Sequence, residues 1–500
     1  MVDVSPAVAQ PPHLHRGSSS TNPEPSVVSS STQLTPAQRA HTLALLAPSL
    51  HEVVLGAGWD FEPSNPSASA SGSQSPTTPK SPDQRSGSPT APPEVSSAAG
   101  AKELADALLI RSCQQGWNRA FELHQDWERP CLKGEDEVLI RNVAVGLNPV
   151  DYKSVLYNFG IANTPWVLGR DVAGIVHEVS GTSTGFKPGD RVWTCADSRD
   201  SRAGAYQQFS IAKAHTIGRI PERVTDEEAA TVGTGLVTAA VILYWFFRLQ
   251  RAEELAEGRV PRKVPEVEGL GSKRDNRWIL VYGGGAVTGI YAIQLARLSG
   301  LRPIVIASPG NFEYLKSIGA EICLDRYKEP AELLDAIREQ TAGQLAFAID
   351  CVGSKTAVVC ERALKEANGD WAGVGQLCCL AGDPKVKPGE QQETDADLAQ
   401  RLVRDVKIHK ISFSTTFYGD DEFSRALLAD LDALFASGSL KPVQAEVLPD
   451  GLASVRRGLE SLRDGTAPRA KKLVVRIADT PKADLTNLGV RAELSWNGVA

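Results

Sequence analysis

No stretch of about 20 apolar residues occurs in this chain, which argues against a membrane-spanning helix. The longest apolar run, from about Leu236 to Phe247, is too short and contains Thr238. An excess of basic charge is also missing: 53 Lys and Arg against 60 Asp and Glu leave a net charge of −7. Nothing electrostatic therefore favours nucleic acid or an anionic membrane. The eight cysteines lack the paired spacing of a zinc site and form no disulfide framework. Buried free thiols in a reducing compartment are expected. The opening residues have no basic segment followed by an apolar core, so a cytoplasmic rather than secreted protein is expected. His177, His215 and His409 fall in or beside strand patterns, and no Ser/His/Asp grouping is visible; all three are expected to be structural.

What is present organises the 500 residues into more than one core, with tails. A composition of 42% hydrophobic and 23% charged residues is that of a globular protein. Residues 1–102 are dominated by Ser, Pro, Thr, Ala and Gly and read as a disordered low-complexity tail. Within it, Leu43, Leu46 and Leu50 predict a short amphipathic helix over Gln38–Val54, and Thr78-Pro79-Lys80-Ser81-Pro82 resembles a proline-directed phosphorylation site. Residues 478–500 read as a second tail. Between the tails, residues 103–225 show short strands with turn punctuation: one from Asp136, one launched by the Lys187–Val192 turn, one over Gly204–Ile211. Residues 226–412 change to strand–helix alternation, with strands at Trp278–Tyr282, Pro303–Ala307, Glu321–Leu324, Ala346–Cys351, Gln376–Ala381 and Val406–Phe413. Alternation of this kind predicts right-handed crossovers and a parallel sheet, so the fold class is α/β. Residues 413–477 complete the folded part.

The glycines of Val281-Tyr-Gly-Gly-Gly-Ala-Val-Thr-Gly289 follow a strand and open a helix. A dinucleotide site needs such a turn, so that a pyrophosphate can reach the helix N-terminus. Gly284 and Gly289 fit the first and third positions of the usual glycine pattern, with Ala286 in the middle one. The candidate cofactor residues here are Gly283, Gly284, Gly285, Ala286, Val287 and Gly289. After the second strand, Ser308-Pro309-Gly310-Asn311 carries no acid. An acid there would hold the ribose hydroxyls of NAD. Its absence removes repulsion toward a 2′-phosphate, which Ser308 and Asn311 can donate to, so NADPH is the expected cofactor; Tyr327 and Lys316 are further candidates.

Taken together, VGLNPVDYK (145–153), LGRDVAGIVHEV (168–179), FKPGDRV (186–192), GAYQQF (204–209), ATVGTGLVTAA (230–240), the glycine turn and SIGAE (317–321) resemble the medium-chain dehydrogenase/reductase superfamily. The resemblance implies a GroES-like catalytic domain holding a Rossmann doubly wound domain before its last strands, with the active site between them. The positions that carry catalytic zinc in the alcohol dehydrogenases are Asn148, Arg170 and Thr234 here, and the structural-zinc loop is absent, so no metal is expected. The nearest likeness is to the zinc-free branch, the quinone oxidoreductases and the fungal stand-alone trans-acting enoyl reductases. It implies reduction of an activated C=C bond by hydride from NADPH, in which an enolate oxygen needs hydrogen-bond donors. It places Asn148, Val150, Asp151 and Lys153 at the cofactor. Gly233, Thr234, Gly235, Leu236, Val237, Thr238, Ala239 and Ala240 fall at the substrate. Lys153 and Thr238 are expected to orient the carbonyl and cofactor, with Tyr152 a further donor. A tyrosine acts as proton donor in related mitochondrial thioester reductases; Phe159 stands at that position here, with Tyr157 two residues earlier. A polyketide synthase is the partner implied, with the chain a monomer or homodimer. Two alternatives stay open: a quinone or small-enone reductase, and a non-catalytic NADPH-binding sensor or scaffold.

Overall fold

A computed structural model describes residues 103–251, 277–367, 373–385 and 404–482. The tail over residues 1–102, its helix and its Ser/Thr-Pro site lie outside them. Strands β1 (Leu104–Ile110), β2 (Phe121–Glu128) and β4 (Trp166–Val167) form a small antiparallel sheet. A seven-stranded sheet takes β3 (Glu137–Gly146), β5 (Asp171–Val179), β6 (Arg191–Cys195), β7 (Phe209–Lys213) and β8 (Ile217–Arg219), then β15 (Gln444–Leu448) and β16 (Lys471–Arg476) from the far end of the chain. Between these two sets runs a six-stranded sheet: β9 (Trp278–Tyr282), β10 (Arg302–Ala307), β11 (Ile322–Asp325), β12 (Leu345–Asp350), β13 (Gly375–Cys379) and β14 (Val406–His409).

All pairings in the six-stranded sheet are parallel, in the order β11-β10-β9-β12-β13-β14. That is the doubly wound Rossmann order, and it leaves a crevice at the carboxyl ends of β9 and β12, where the strand order reverses. Helices α4 (Val287–Leu298) and α5 (Phe312–Ser317) pack on one face, α6 (Pro330–Thr341) and α7 (Ser354–Lys365) on the other. Along β9 the side chains divide with period two: Ile279 and Val281 join the core with α4, and Trp278, Leu280 and Tyr282 join the core with α6 and α7. Every residue of β9 is buried, which is why its sequence is a continuous apolar run.

Helix α1 (Pro149–Tyr157) follows β3, and α2 (Asp226–Ala229) and α3 (Gly233–Ala240) follow the β-rich part. Helix α3 continues into a π-helical turn, Val241–Phe246. Helix α8 (Asp421–Ser437) returns toward the seven-stranded sheet, and α9 (Val455–Arg463) packs beside α1.

The strand expected over Gly204–Ile211 begins only at Phe209. Upstream, the backbone bonds elsewhere: the Asn142 side-chain amide donates to the carbonyls of Ala205 and Gln207. Tyr206 is buried and its hydroxyl donates to Asp151. The chain also remains packed beyond the expected end of the fold, since Thr480 is buried and its hydroxyl accepts from the Leu452 amide.

Candidate active site

The turn from β9 to α4 is a cradle that side chains would fill. Gly283 has φ +86°, and a Cβ there would sit 2.7 Å from Val352. A Cβ on Gly284 would strike Val305, and one on Gly289 would lie 2.6 Å from the Gly283 carbonyl oxygen. The N-cap of α4 is Ala286, with no side-chain cap, so the amides of the first turn stay available to an anion. Beside it lies the end of β10, where Ser308, Pro309, Gly310 and Asn311 form a short 3-10 turn with no acid in it. Asn311 leans over Gly285, whose Cβ would come within 2.9 Å of the Asn311 amide. Tyr327 is exposed after β11; next to it, Arg326 donates its amide to Ala307 and lays its guanidinium over the Tyr327 ring at 5.8 Å.

A buried polar network forms the opposite wall. Asp171, at the start of β5, accepts at 2.6 Å from both the amide and the hydroxyl of Thr234. Its other oxygen lies 2.7 Å from the Lys472 ammonium. That ammonium also donates to Asn148 Oδ1 at 2.5 Å. Small residues allow this: a Cβ on Gly146 would meet Lys472 and Asp171, and one on Gly233 would strike Asp171. Asn148 caps α1, and the Asp151 carboxylate reaches back to the Asn148 amide at 2.8 Å. Burial pushes the Asp151 carboxyl up to about 6, opposed by the nearby Arg170 charge and the Tyr206 hydroxyl.

Between these walls lies a cavity of about 330 Å³. From α1 it takes Val150, Lys153 and Tyr157, residues three and four apart that share one helix face. From α3 it takes Thr234, Gly235 and Thr238, again one face. Gly285, Ala286, Val287 and Thr288 form the cofactor side, with Asn148, Phe159, Cys351 and Leu380 around them. Gly235 lets α3 lie against α4, since a Cβ would stand 2.6 Å from Val287. Burial pulls the Lys153 ammonium down from its ordinary value.

Other candidate residues point elsewhere, and helix geometry says why. Tyr152 is turned off the cavity wall toward the α9 side, packed against the core near Arg463. Asp151 is wholly buried beneath α1. On α3, Leu236, Val237, Ala239 and Ala240 are fully buried core residues, and Gly233 serves the approach of Asp171. None of His177, His215 and His409 lines the cavity. Sequence reasoning missed Lys472, Asp171, Cys351, Thr288 and Arg326. Lys472 had no local signal, because its partners come from distant segments; Asp171 lies in the motif at 168–179, but its bonds to Thr234 and Lys472 are long-range. Arg326 could have been found by counting two strands along to the end of β11.

The zinc-ligand positions do not fit zinc. Asn148 offers an amide already bonded to Lys472, Thr234 a hydroxyl bonded to Asp171, and Arg170 a buried guanidinium. The Lys472 ammonium stands among them, and a second cation would be repelled. Among the described residues, no cluster of three His, Cys, Asp or Glu side chains could hold a metal.

Residues 134–234 match the family model described as the alcohol dehydrogenase GroES-like domain, and residues 287–427 the one described as zinc-binding dehydrogenase. A trans-enoyl reductase of Gibberella fujikuroi is 30% identical over 366 residues, which span 71% of this chain and 95% of that protein. Among solved structures, a mycobacterial protein complexed with NADPH superposes with a TM-score of 0.56 at 21% identity, over 74% of this chain and 99% of the other. A quinone oxidoreductase of Pseudomonas syringae gives a TM-score of 0.56 at 20% identity, over 74% and 99%.

Proposed function

The chain belongs to the medium-chain dehydrogenase/reductase superfamily, and on that footing we propose that it reduces the C=C bond of an activated enoyl thioester at the expense of NADPH, without a metal. The observation that carries this reading is the cavity itself. A cofactor turn forms one side, and an ammonium and a hydroxyl, Lys153 and Thr238, enter from two different helices on the others. Gly283–Ala286 and the first turn of α4 would hold a nicotinamide cofactor, which when bound would supply the hydride for the β-carbon.

The protein's own part is electrostatic. As negative charge moves onto the thioester carbonyl, the Lys153 ammonium and the Thr238 hydroxyl donate to that oxygen. Their stabilisation grows in the transition state because they are fixed before reaction. The Lys472–Asp171–Thr234 network holds α3 in register with β5 and β16, and so fixes the position of Thr238. Apolar lining from Leu147, Leu380, Ile411 and Leu462 limits water around the developing charge. The α-carbon takes its proton from water at the open mouth, beside Tyr157.

Preference for NADPH is read from the acid-free loop Ser308–Asn311, which offers a hydroxyl and an amide to a 2′-phosphate, with the Arg326 backbone amide bonded to Ala307 at the same strand end. A carrier-bound substrate from a polyketide synthase, and a cytoplasmic location, complete the proposal; among the described residues no helix is long and apolar enough to cross a membrane.

The test is cofactor oxidation against enoyl thioesters, enones and quinones, with NADPH and NADH in parallel. Turnover of thioesters with NADPH is expected. Lys153→Ala and Thr238→Ala should each lower kcat by about a hundredfold, as loss of an oxyanion donor does. Wild-type turnover in both variants would remove the catalytic assignment. Reduction of quinones alone would move the substrate to that class. NADPH binding without any turnover would favour the sensor.

A further inference from the structure

Helix α4 turns one face toward the β-rich part of the molecule, and that face is partly polar although it is buried. Val287, Tyr291 and Gln294 share it, at steps of four and three residues. Val287 meets the bare backbone of α3 at Gly235, where a Cβ would stand 2.6 Å away. One turn on, the Tyr291 hydroxyl lies 3.1 Å from the Thr231 hydroxyl and 3.4 Å from the Thr231 carbonyl, and accepts from the Val443 amide at 3.2 Å. Gln294 closes the row: its side-chain amide donates to the Lys441 carbonyl at 3.1 Å and accepts from the Lys441 amide at 3.0 Å. The proton order at Tyr291 is fixed. Thr231 spends its own hydroxyl hydrogen on the Glu228 carbonyl at 2.7 Å, so Tyr291 is the donor between the two. Both residues are fully buried, and burial pushes the phenol above its ordinary value, so it stays a donor.

Thr231 lies in the turn that launches α3, three residues before Thr234 and seven before Thr238, which both line the cavity. The Lys472–Asp171–Thr234 network ties α3 to the seven-stranded sheet, whereas the cofactor turn belongs to the other sheet. Contacts between α3 and α4 relate the two. At Gly235 and Val287 the contact sets how near the helices lie, but an apolar contact has no direction and does not stop them sliding along one another. The Tyr291–Thr231 bond, directional and shielded from water, does. The slide matters, because a misplacement of about 1 Å can cost about a hundredfold in rate. Resting on the reading of Thr238 as a donor to the carbonyl, we propose that Tyr291 is a positioning residue for the reduction: through Thr231 it sets α3, and with it Thr238, against the cofactor turn. Gln294 has no such part. Its bonds end at Lys441, in the segment entering β15, none of whose residues lines the cavity.

The experiment is a double-mutant cycle read on turnover of an enoyl thioester with NADPH. Tyr291→Phe keeps the ring and removes the hydroxyl. Its kcat should fall about tenfold, with KM for both substrates within about twofold of the wild type, the split expected when only the transition state is misplaced. In a Thr238→Ala background, Tyr291→Phe should lower kcat by less than about twofold, because the donor it positions is already gone. Thr231→Val should act in the same direction, and it takes the place of Tyr291→Phe in the cycle if that variant does not fold. Gln294→Leu removes bonds from the same buried face and should leave kcat within about twofold of the wild type. An unchanged kcat in Tyr291→Phe, an undiminished loss in the Thr238→Ala background, or an equal loss in Gln294→Leu would overturn the assignment of Tyr291 and leave enoyl reduction standing. Wild-type turnover in Thr238→Ala alone, or no reduction of any thioester, would remove the donor reading instead. Emission of bound NADPH then decides separately on the hold of Tyr291 over α3. It should differ from the wild type in Tyr291→Phe and not in Gln294→Leu; no difference in Tyr291→Phe, or the same shift in both, would overturn the positioning role.

Discussion

At the scale of single residues, the site depends on one buried ion pair. Lys472 and Asp171 are almost completely removed from water, and each has a second partner, Asn148 for the ammonium and Thr234 for the carboxylate. Removing one member leaves the other charge buried and uncompensated, which costs far more than the net worth of the pair. Lys472→Ala should therefore lower the unfolding free energy by about 3–5 kcal/mol, as read by denaturant unfolding; a loss within error of zero would show that water can reach Asp171. Asn148, Lys153 and Thr238 were legible because each lies in a contiguous motif. Lys472 was not: its bond to Asn148 spans 324 residues, and no local pattern encodes it. Tyr152 was misplaced for a different reason. Adjacency to Lys153 in sequence puts the two about 100° apart on a helix, and here Lys153 faces the cavity while Tyr152 packs toward α9.

At the scale of elements, α8 is tied to the seven-stranded sheet through Asp432. Its carboxylate accepts from the Trp193 indole at 3.3 Å and from the Arg219 amide at 2.8 Å. Burial pushes this carboxyl up to about 7, against the pull of those donors. An unfolded Asp loses its proton near pH 4. Between those values the folded chain holds a proton that the unfolded chain has released, so this group's contribution is full below about pH 4 and falls as pH rises through 7. Thermal unfolding across that window should show stability declining with pH, and Asp432→Asn should flatten the decline. An unchanged slope in the variant would assign it to other groups. Strands β9 and β10 were read nearly to their ends, since both are continuous apolar runs, whereas β14 stops at His409, four residues short of the expected Phe413. The failure at Gly204–Gln208 came from a polar rival: the Asn142 amide takes the carbonyls that a neighbouring strand would otherwise take.

At the scale of the whole molecule, the parallel sheet and its β-rich partner were legible from the rhythm of the chain, whereas the order of the strands came from the structure. The closing of the seven-stranded sheet by strands from the far end came only from the family resemblance. That closure has a consequence for synthesis. Strand β3 pairs with β7 along Glu137–Arg141, but along Ala144–Gly146 its partner is β16. A ribosome adds roughly 5–20 residues per second, so roughly 16–65 s separate the appearance of this half of β3 from that of β16. For that interval the half of β3 that carries the active-site loop offers unpaired amides and carbonyls, a template for pairing with other chains. Nascent chains halted before Lys471 should thus be cleaved by protease around β3 and α1, while chains extended past Arg476 and clear of the exit tunnel should resist. Equal resistance in both would mean that the sheet closes without its last strand. The wall that Lys472 completes is, on this account, the last part of the seven-stranded sheet to form.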